Sequence, residues 1–251
     1  MTPALETVGL FRSFGGLLAT NNVSLRLPVG ARHALIGPNG AGKTTFINLL
    51  TGVLRPSAGR ILLGGADITA LPPERRVRRG LARTFQINQL FPNMTPIETV
   101  GLAVSRRLGM DGDWFRVLGR RAAVLEPIVE ILERFGLADV MGVPTATLPY
   151  GKQRMLEIAV AIACRPRVLL LDEPAAGVPE AEREDILQSV AALPSDVAVL
   201  LIEHDMDLVF RFAQRISVLV GGALLTEGTP DEVAADARVR AVYLGEGAGH
   251  G

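Results

Sequence analysis

The chain has 251 residues and carries 26 basic and 26 acidic side chains, so its formal charge is zero. That balance argues against an open nucleic-acid-binding face, which needs a basic surplus. Hydrophobic residues make up 48%, yet apolar runs such as Ile158 to Cys164 stop at seven residues, far short of the roughly 20 that a membrane-spanning helix needs.

In chain order, the first stretch, Leu5 to Leu27, alternates apolar and polar residues around a Phe14-Gly15-Gly16 turn and reads as antiparallel strands. Ala31 to Ile36 reads as a short apolar strand, and Thr44 to Leu50 as a helix. Between them lies Gly37-Pro38-Asn39-Gly40-Ala41-Gly42-Lys43-Thr44, which fits G-x-x-x-x-G-K-[ST] at every fixed position. An accidental Gly-rich turn would not need a strand before it and a helix after it. The glycines let successive N–H groups converge on phosphate oxygens, and the helix adds the positive end of its dipole. Lys43 is expected to reach the β- and γ-phosphates and the Thr44 hydroxyl to ligate Mg²⁺, with Thr45 completing the cradle.

Between Gln86 and Arg165 the texture turns helical, clearest at Ile128 to Phe135 and Met155 to Ala163. Val168 to Leu171 and Val197 to Ile202 are continuous apolar runs, as in strands of a parallel sheet covered on both faces. The first ends on Asp172-Glu173, at the sheet edge where ligands gather. Asp172 is placed to hold Mg²⁺ through water, and Glu173 to polarise an attacking water as general base; an acidic helix cap is the plainer alternative. His204 follows the second strand by the same logic and could meet a γ-phosphate. His33, inside a strand, and His250, in the tail, carry no such argument. Ile216 to Val220 and Ala223 to Thr226 flank Gly221-Gly222 as a hairpin, and Asp231 to Leu244 reads as a closing helical segment. Cys164 in its apolar stretch reads as inert packing. One cysteine can form no internal disulfide, and no signal peptide opens the chain, so a cytoplasmic location is expected.

Taken together, these residues resemble the ABC transporter ATPase family over nearly the whole chain. The resemblance implies a P-loop NTPase (RecA-like) α/β core, residues 5–86 and 166–230, with an antiparallel β subdomain. It further implies an inserted helical subdomain near 87–165, a closing segment 231–246 and a flexible tail 247–251. It implies ATP and Mg²⁺ as cofactors, and two ATPs at the interface of a head-to-tail pair. By the same resemblance Phe14 stacks on adenine, Gln86 joins Mg²⁺ to the membrane-subunit contact, and His204 contacts the γ-phosphate.

The signature segment departs from the family's Leu-Ser-Gly-Gly-Gln: here it is Leu148-Pro149-Tyr150-Gly151-Lys152. Gly151 and the helix near it remain, but Pro149 removes both a hydroxyl and a backbone donor. A hydrogen bond to a charged group is worth about 1.5–3 kcal/mol, so ATP-driven closure should weaken without being abolished. Arg83-Thr84-Phe85-Gln86, Tyr150-Gly151-Lys152-Gln153-Arg154 and Asp172-Glu173-Pro174-Ala175-Ala176-Gly177 are similar to the bacterial branched-chain amino acid importer ATPases of the LivG type. That likeness implies an inner-membrane import complex with the chain peripheral on its cytoplasmic face. The implied partners are two permeases, a periplasmic binding protein and a second, LivF-like ATPase, or a second copy of the chain. A soluble non-transport ABC ATPase and a weakly hydrolysing regulatory subunit are the competing functions. The basic run Arg75, Arg76, Arg78 and Arg79 is expected to be a solvated helix face, with contact to a permease loop or anionic lipid as the alternative. Arg106, Arg107, Arg116, Arg120 and Arg121 around Trp114 and Phe115 read as ordinary packing or a mobile loop, with a docking surface for membrane subunits, or single-strand stacking, as alternatives.

Overall fold

The computed structural model describes residues 2–84, 90–109 and 122–247. They form two compact units: Met1–Arg83 with Arg167–Glu173 and Pro194–Gly251, and Thr84–Pro166 with Pro174–Leu193.

The first unit contains two sheets. β1 (Leu5–Phe14), β2 (Leu17–Val23), β3 (Arg26–Leu27), β5 (Ala58–Leu63) and β6 (Ala66–Asp67) pair antiparallel in the order β2-β1-β5-β6, with β3 also on β1. The second sheet is built from β4 (Arg32–Ile36), β7 (Leu81–Arg83), β8 (Val168–Asp172), β9 (Ala198–Ile202), β10 (Arg215–Val220) and β11 (Ala223–Gly228). Its order is β11-β10-β4-β9-β8-β7. All its pairings are parallel except the β10–β11 hairpin. Every residue of β8 and β9 is buried, which is why these strands read as unbroken apolar runs. The parallel register sets Leu35 and Asp172 each beside Ile202. The carboxyl ends of β4, β9 and β8 therefore meet along one edge.

Helix α1 (Lys43–Thr51) buries Phe46, Ile47, Leu49 and Leu50 completely. They share one core with Leu5, Leu10, Leu27 and Ile61 from the first sheet and Leu35, Leu170 and Leu200 from the second. The chain leaves α1 through Gly52 in the left-handed conformation, a common way to end a helix. The last-turn carbonyls of Leu49 and Leu50 accept hydrogen bonds from Arg76 Nη1 at 2.7 and 2.6 Å. Arg76 lies on α2 (Pro73–Arg78) and also donates to Leu71 O and Thr69 O. The basic run is thus not one solvated face. Arg75, Arg78 and Arg79 are exposed, but Arg76 is buried, its guanidinium satisfying carbonyls at the end of α1, of which Leu49 O also accepts the Gly52 N–H. Helices α7 (Met206–Phe212), α8 (Pro230–Ala235) and α9 (Ala237–Gly247) complete the unit. The closing segment is two helices rather than one, the first started by a Thr229/Glu232 capping box and ended at Asp236.

The second unit packs α3 (Pro96–Arg107), α4 (Ala122–Arg134), α5 (Tyr150–Ala163) and α6 (Glu180–Ala191). Thr95 and Glu98 form a capping box at the start of α3, and Arg107 at its end donates to Ala163 O, closing the end of α5. Cys164 is half-buried beside it, and burial pushes its thiol up, away from the reactive thiolate. Trp114, Phe115, Arg116, Arg120 and Arg121 lie outside the described residues, as does Gln86. Among the described residues no helix is long and apolar enough to cross a membrane.

Candidate functional site

The Gly37–Thr44 loop leaves the end of β4 and delivers Lys43 and Thr44 at the first turn of α1. Gly42 is the N-cap with φ +98°; a Cβ there would lie 2.4 Å from Ala19 O, so only glycine fits. A glycine N-cap has no side chain to accept from the first N–H groups, and α1 has no acidic residue in its first turn. Gly40 also has positive φ, and a Cβ there would meet nothing within 4 Å. The loop is therefore closed beneath, at Gly42, and open at Gly40. Lys43 Nζ folds back to donate to Gly37 O and, at 3.0 Å, to Pro38 O. These carbonyl oxygens stand in for the acceptors that a phosphate would offer. An uncapped helix start, an open backbone loop and a flexible ammonium together fit a polyphosphate. Pro38, Asn39, Ala41 and Thr45 lie in the same loop and first turn, with Ala41 N–H bonded to Pro38 O.

Asp172 ends β8, buried, with Oδ2 2.7 Å from Arg83 Nη2. Glu173 is the next residue, half-buried, with φ +48° and its N–H donated to Ile202 O at 2.9 Å. A glutamate in the left-handed region carries strain on the order of 1–3 kcal/mol, of the kind held at functional sites. His204 follows β9, and its Nδ1 lies 3.7 Å from Glu173 Oε1 and 3.8 Å from Glu203 Oε2. The ring is exposed whereas Glu203 is buried. Among the described residues no three His, Cys, Asp or Glu side chains cluster to hold a metal. Thr44 and Asp172 suit Mg²⁺, which is commonly bound through one carboxylate, water and substrate phosphates.

Phe14, at the end of β1, is exposed, and the Arg12 guanidinium lies 4.6 Å from its ring centroid. A cation on one face leaves the other for a flat partner. Arg12 was legible two residues before Phe14 on the same strand, hence on the same face.

The signature residues belong to the second unit. Pro149 is the N-cap of α5 with no side-chain cap bond. Tyr150 is exposed, packs 5.1 Å from the Arg154 guanidinium, and stands against Gly177. Lys152 bonds Asp139 at 3.0 Å and Gly136 O. Pro149, Gly151 and Lys152 line a cavity of about 470 Å³ whose wall includes Glu182. The Glu182 carboxylate rests directly over Gly151, where a Cβ would lie 1.9 Å from Oε2.

No motif in the sequence assigns a role to Arg83 or Asn48. Arg83 Nη1 is 2.8 Å from Asn48 Oδ1 and Nη2 reaches Asp172. The available signal was a basic residue closing a short strand beside an acid that closes a buried one.

The family described as ABC transporter matches residues 20–176, and that described as branched-chain amino acid ATP-binding cassette transporter matches residues 223–249. Among curated relatives, the high-affinity branched-chain amino acid transport ATP-binding protein BraF of Pseudomonas aeruginosa is 42% identical, over 97% of this chain and 98% of that protein. LivG of Escherichia coli, described in the same words, is 41% identical over the same shares. Among solved structures, the ADP conformation of an ATP-binding cassette of an ABC transporter superposes with TM-score 0.84 at 28% identity, over 98% of this chain and all of that one. A nucleotide-free ATP-binding cassette superposes with TM-score 0.83 at 28% identity, over 96% and 98%. With the phosphate loop, the paired acids and the two sheets in place, this chain belongs to the ABC transporter family as one of its ATP-binding cassettes.

Proposed function

We propose that this chain is the ATP-hydrolysing motor of an importer for branched-chain or related amino acids, peripheral on the cytoplasmic face of the inner membrane. One observation carries the reading: the Gly37–Thr44 loop, Asp172–Glu173 and His204 all leave the same edge of one parallel sheet. The names of the relatives support the solute class. The cassette is taken to run over residues 5–246.

In this reading Gly37 to Thr45 bind the nucleotide phosphates and the exposed face of Phe14 takes the adenine. Thr44, Asp172 and Gln86 hold Mg²⁺, which supplies charge neutralisation on the phosphates when bound. Glu173 accepts the proton of the attacking water, a step typically worth about 10²–10⁴ in rate. His204, beside Glu173, offers an imidazole N–H toward the terminal phosphate. Tyr150, Gly151 and Lys152, behind Pro149, present the first turn of α5 to a nucleotide held by a partner cassette. Because Pro149 supplies no hydroxyl there, pairing with a second, LivF-like ATPase that has a more regular signature is favoured over self-pairing. Contact with the periplasmic binding protein runs through the permeases, and no nucleic acid is involved.

The test is affinity capture of the tagged chain from solubilised membranes, followed by ATP-dependent uptake in proteoliposomes. Recovery of two permeases and a second cassette, with uptake of leucine lost in Lys43→Ala, is the expected result. Recovery of ribosomes or nucleic acid alone would overturn the transport reading.

A further inference from the structure

Asp172 is buried at the end of an entirely apolar strand, a setting in which a carboxylate needs a counter-ion. Arg83 supplies one from within the chain. Its Nη2 lies 2.7 Å from Asp172 Oδ2, with only 12% and 7% of the two side chains exposed. The guanidinium is not free to wander, because its other terminal nitrogen donates to Asn48 Oδ1 at 2.8 Å. Asn48 sits on α1, five residues after Lys43, on the helix that starts at the phosphate loop. Arg83 itself closes β7 and pairs beside Leu170, two residues before Asp172. One cation is thus held between the cradle helix and the carboxylate meant for the metal.

We propose that Arg83, positioned by Asn48, is the resident counter-ion of Asp172 and keeps divalent cations off this carboxylate until nucleotide phosphates supply their remaining ligands. The inference rests on the phosphate-site reading above. Two physical points carry it. A guanidinium in direct contact with Asp172 repels an approaching dication with twice the force it would exert on a monocation, and it occupies one of the two carboxylate oxygens. In addition, the described residues offer no cluster of three His, Cys, Asp or Glu that could hold a metal alone. The metal must therefore bring ligands with it, and a triphosphate brings several. Arg83 makes metal entry conditional on nucleotide, so it is a positioning residue rather than one that touches the reacting atoms.

The test uses Mn²⁺ alone as the probe, titrated into the full-length chain and followed by electron paramagnetic resonance, first without nucleotide and then with ATP. Against an ATP-only control, wild-type protein should bind the Mn²⁺–ATP complex at least about tenfold more tightly than it binds Mn²⁺ alone. Arg83→Gln should tighten binding of Mn²⁺ alone by about tenfold, and adding Asp172→Asn should abolish that gain. Arg83→Lys keeps the charge and should keep the exclusion. A purely structural role would lower the melting temperature of Arg83→Gln without moving its Mn²⁺ affinity, and that result would overturn the proposal. Should Arg83→Gln not fold, Asn48→Ala loosens the guanidinium while leaving the charge; it should tighten Mn²⁺ alone by about threefold, and no change overturns the proposal equally. Failure of the phosphate-site reading looks different: wild-type protein would then bind no ATP in the presence of a chelator.

Discussion

Replacing Arg76 by Met tests whether the phosphate-binding helix is held at its far end as well as at its loop. Arg76 donates four hydrogen bonds, to Leu49 O, Leu50 O, Thr69 O and Leu71 O, between 2.6 and 2.9 Å. Met has similar length and no donor, so Leu50 O at the end of α1 would lose the Arg76 donor at about 1–3 kcal/mol, while Leu49 O would keep only the Gly52 N–H at 3.3 Å. Part of that loss is offset, because burying the guanidinium is itself unfavourable: burial lowers the Arg76 pKa to about 10. The net expectation is a loss of about 2–4 kcal/mol, from several buried carbonyls losing a charged donor. Urea denaturation followed by far-ultraviolet circular dichroism measures it, with Arg76→Lys expected in between because an ammonium cannot reproduce the planar fork. A loss below about 1 kcal/mol for the Met variant would refute the capping argument.

Three further outcomes follow from the same geometry. His33 is fully buried; its Nε2 lies 2.9 Å from Ser217 Oγ, which donates onward to Glu227. Desolvation lowers its pKa to about 4 despite the opposing pull of Glu227, so the unfolded chain binds the extra proton between about pH 6.5 and 4. Stability from this group is therefore complete above pH 6.5 and falls by up to about 3 kcal/mol towards pH 4; His33→Gln should flatten that part of a melting-temperature profile, and an unchanged slope would contradict the assignment. Gly42→Ala forces a Cβ to within 2.4 Å of Ala19 O at φ +98°. It should abolish binding of a fluorescent ATP analogue, whereas binding within about twofold of wild type would show that the loop relaxes. Pro149→Ser gives α5 a capping hydroxyl worth about 1 kcal/mol and should raise the ATP-dependent dimer fraction on size exclusion. No change would mean that the backbone of α5 already supplies what a partner's nucleotide needs.

Much of the two-sheet core was legible because strands such as β1 alternate and β8 and β9 are continuously apolar, whereas β5, β6 and β7 were not read from the sequence. These patterns follow directly from one-sided and two-sided burial. The phosphate loop was legible because its backbone geometry leaves little choice of residue at Gly42. Contacts made by long basic side chains were not legible. Arg76 and Arg78 look alike in sequence, yet one is buried on four carbonyls and the other is exposed, and only the end of α1 decides which. Arg83 was hidden for the same reason, since its partner Asp172 lies 89 residues away. The positive φ of Glu173 also leaves no mark in a one-letter code, because glutamate is not a residue that announces a left-handed turn.

In the proposed function, Glu173 activates water while the Gly37–Thr44 loop holds the nucleotide. The most direct measurement pairs equilibrium ATP binding with ATP turnover in the assembled complex for wild type and Glu173→Gln. Glu173→Gln should keep ATP affinity within about threefold of wild type and lower turnover by about 10²-fold or more. Undiminished turnover, or loss of binding and turnover together, would contradict that role.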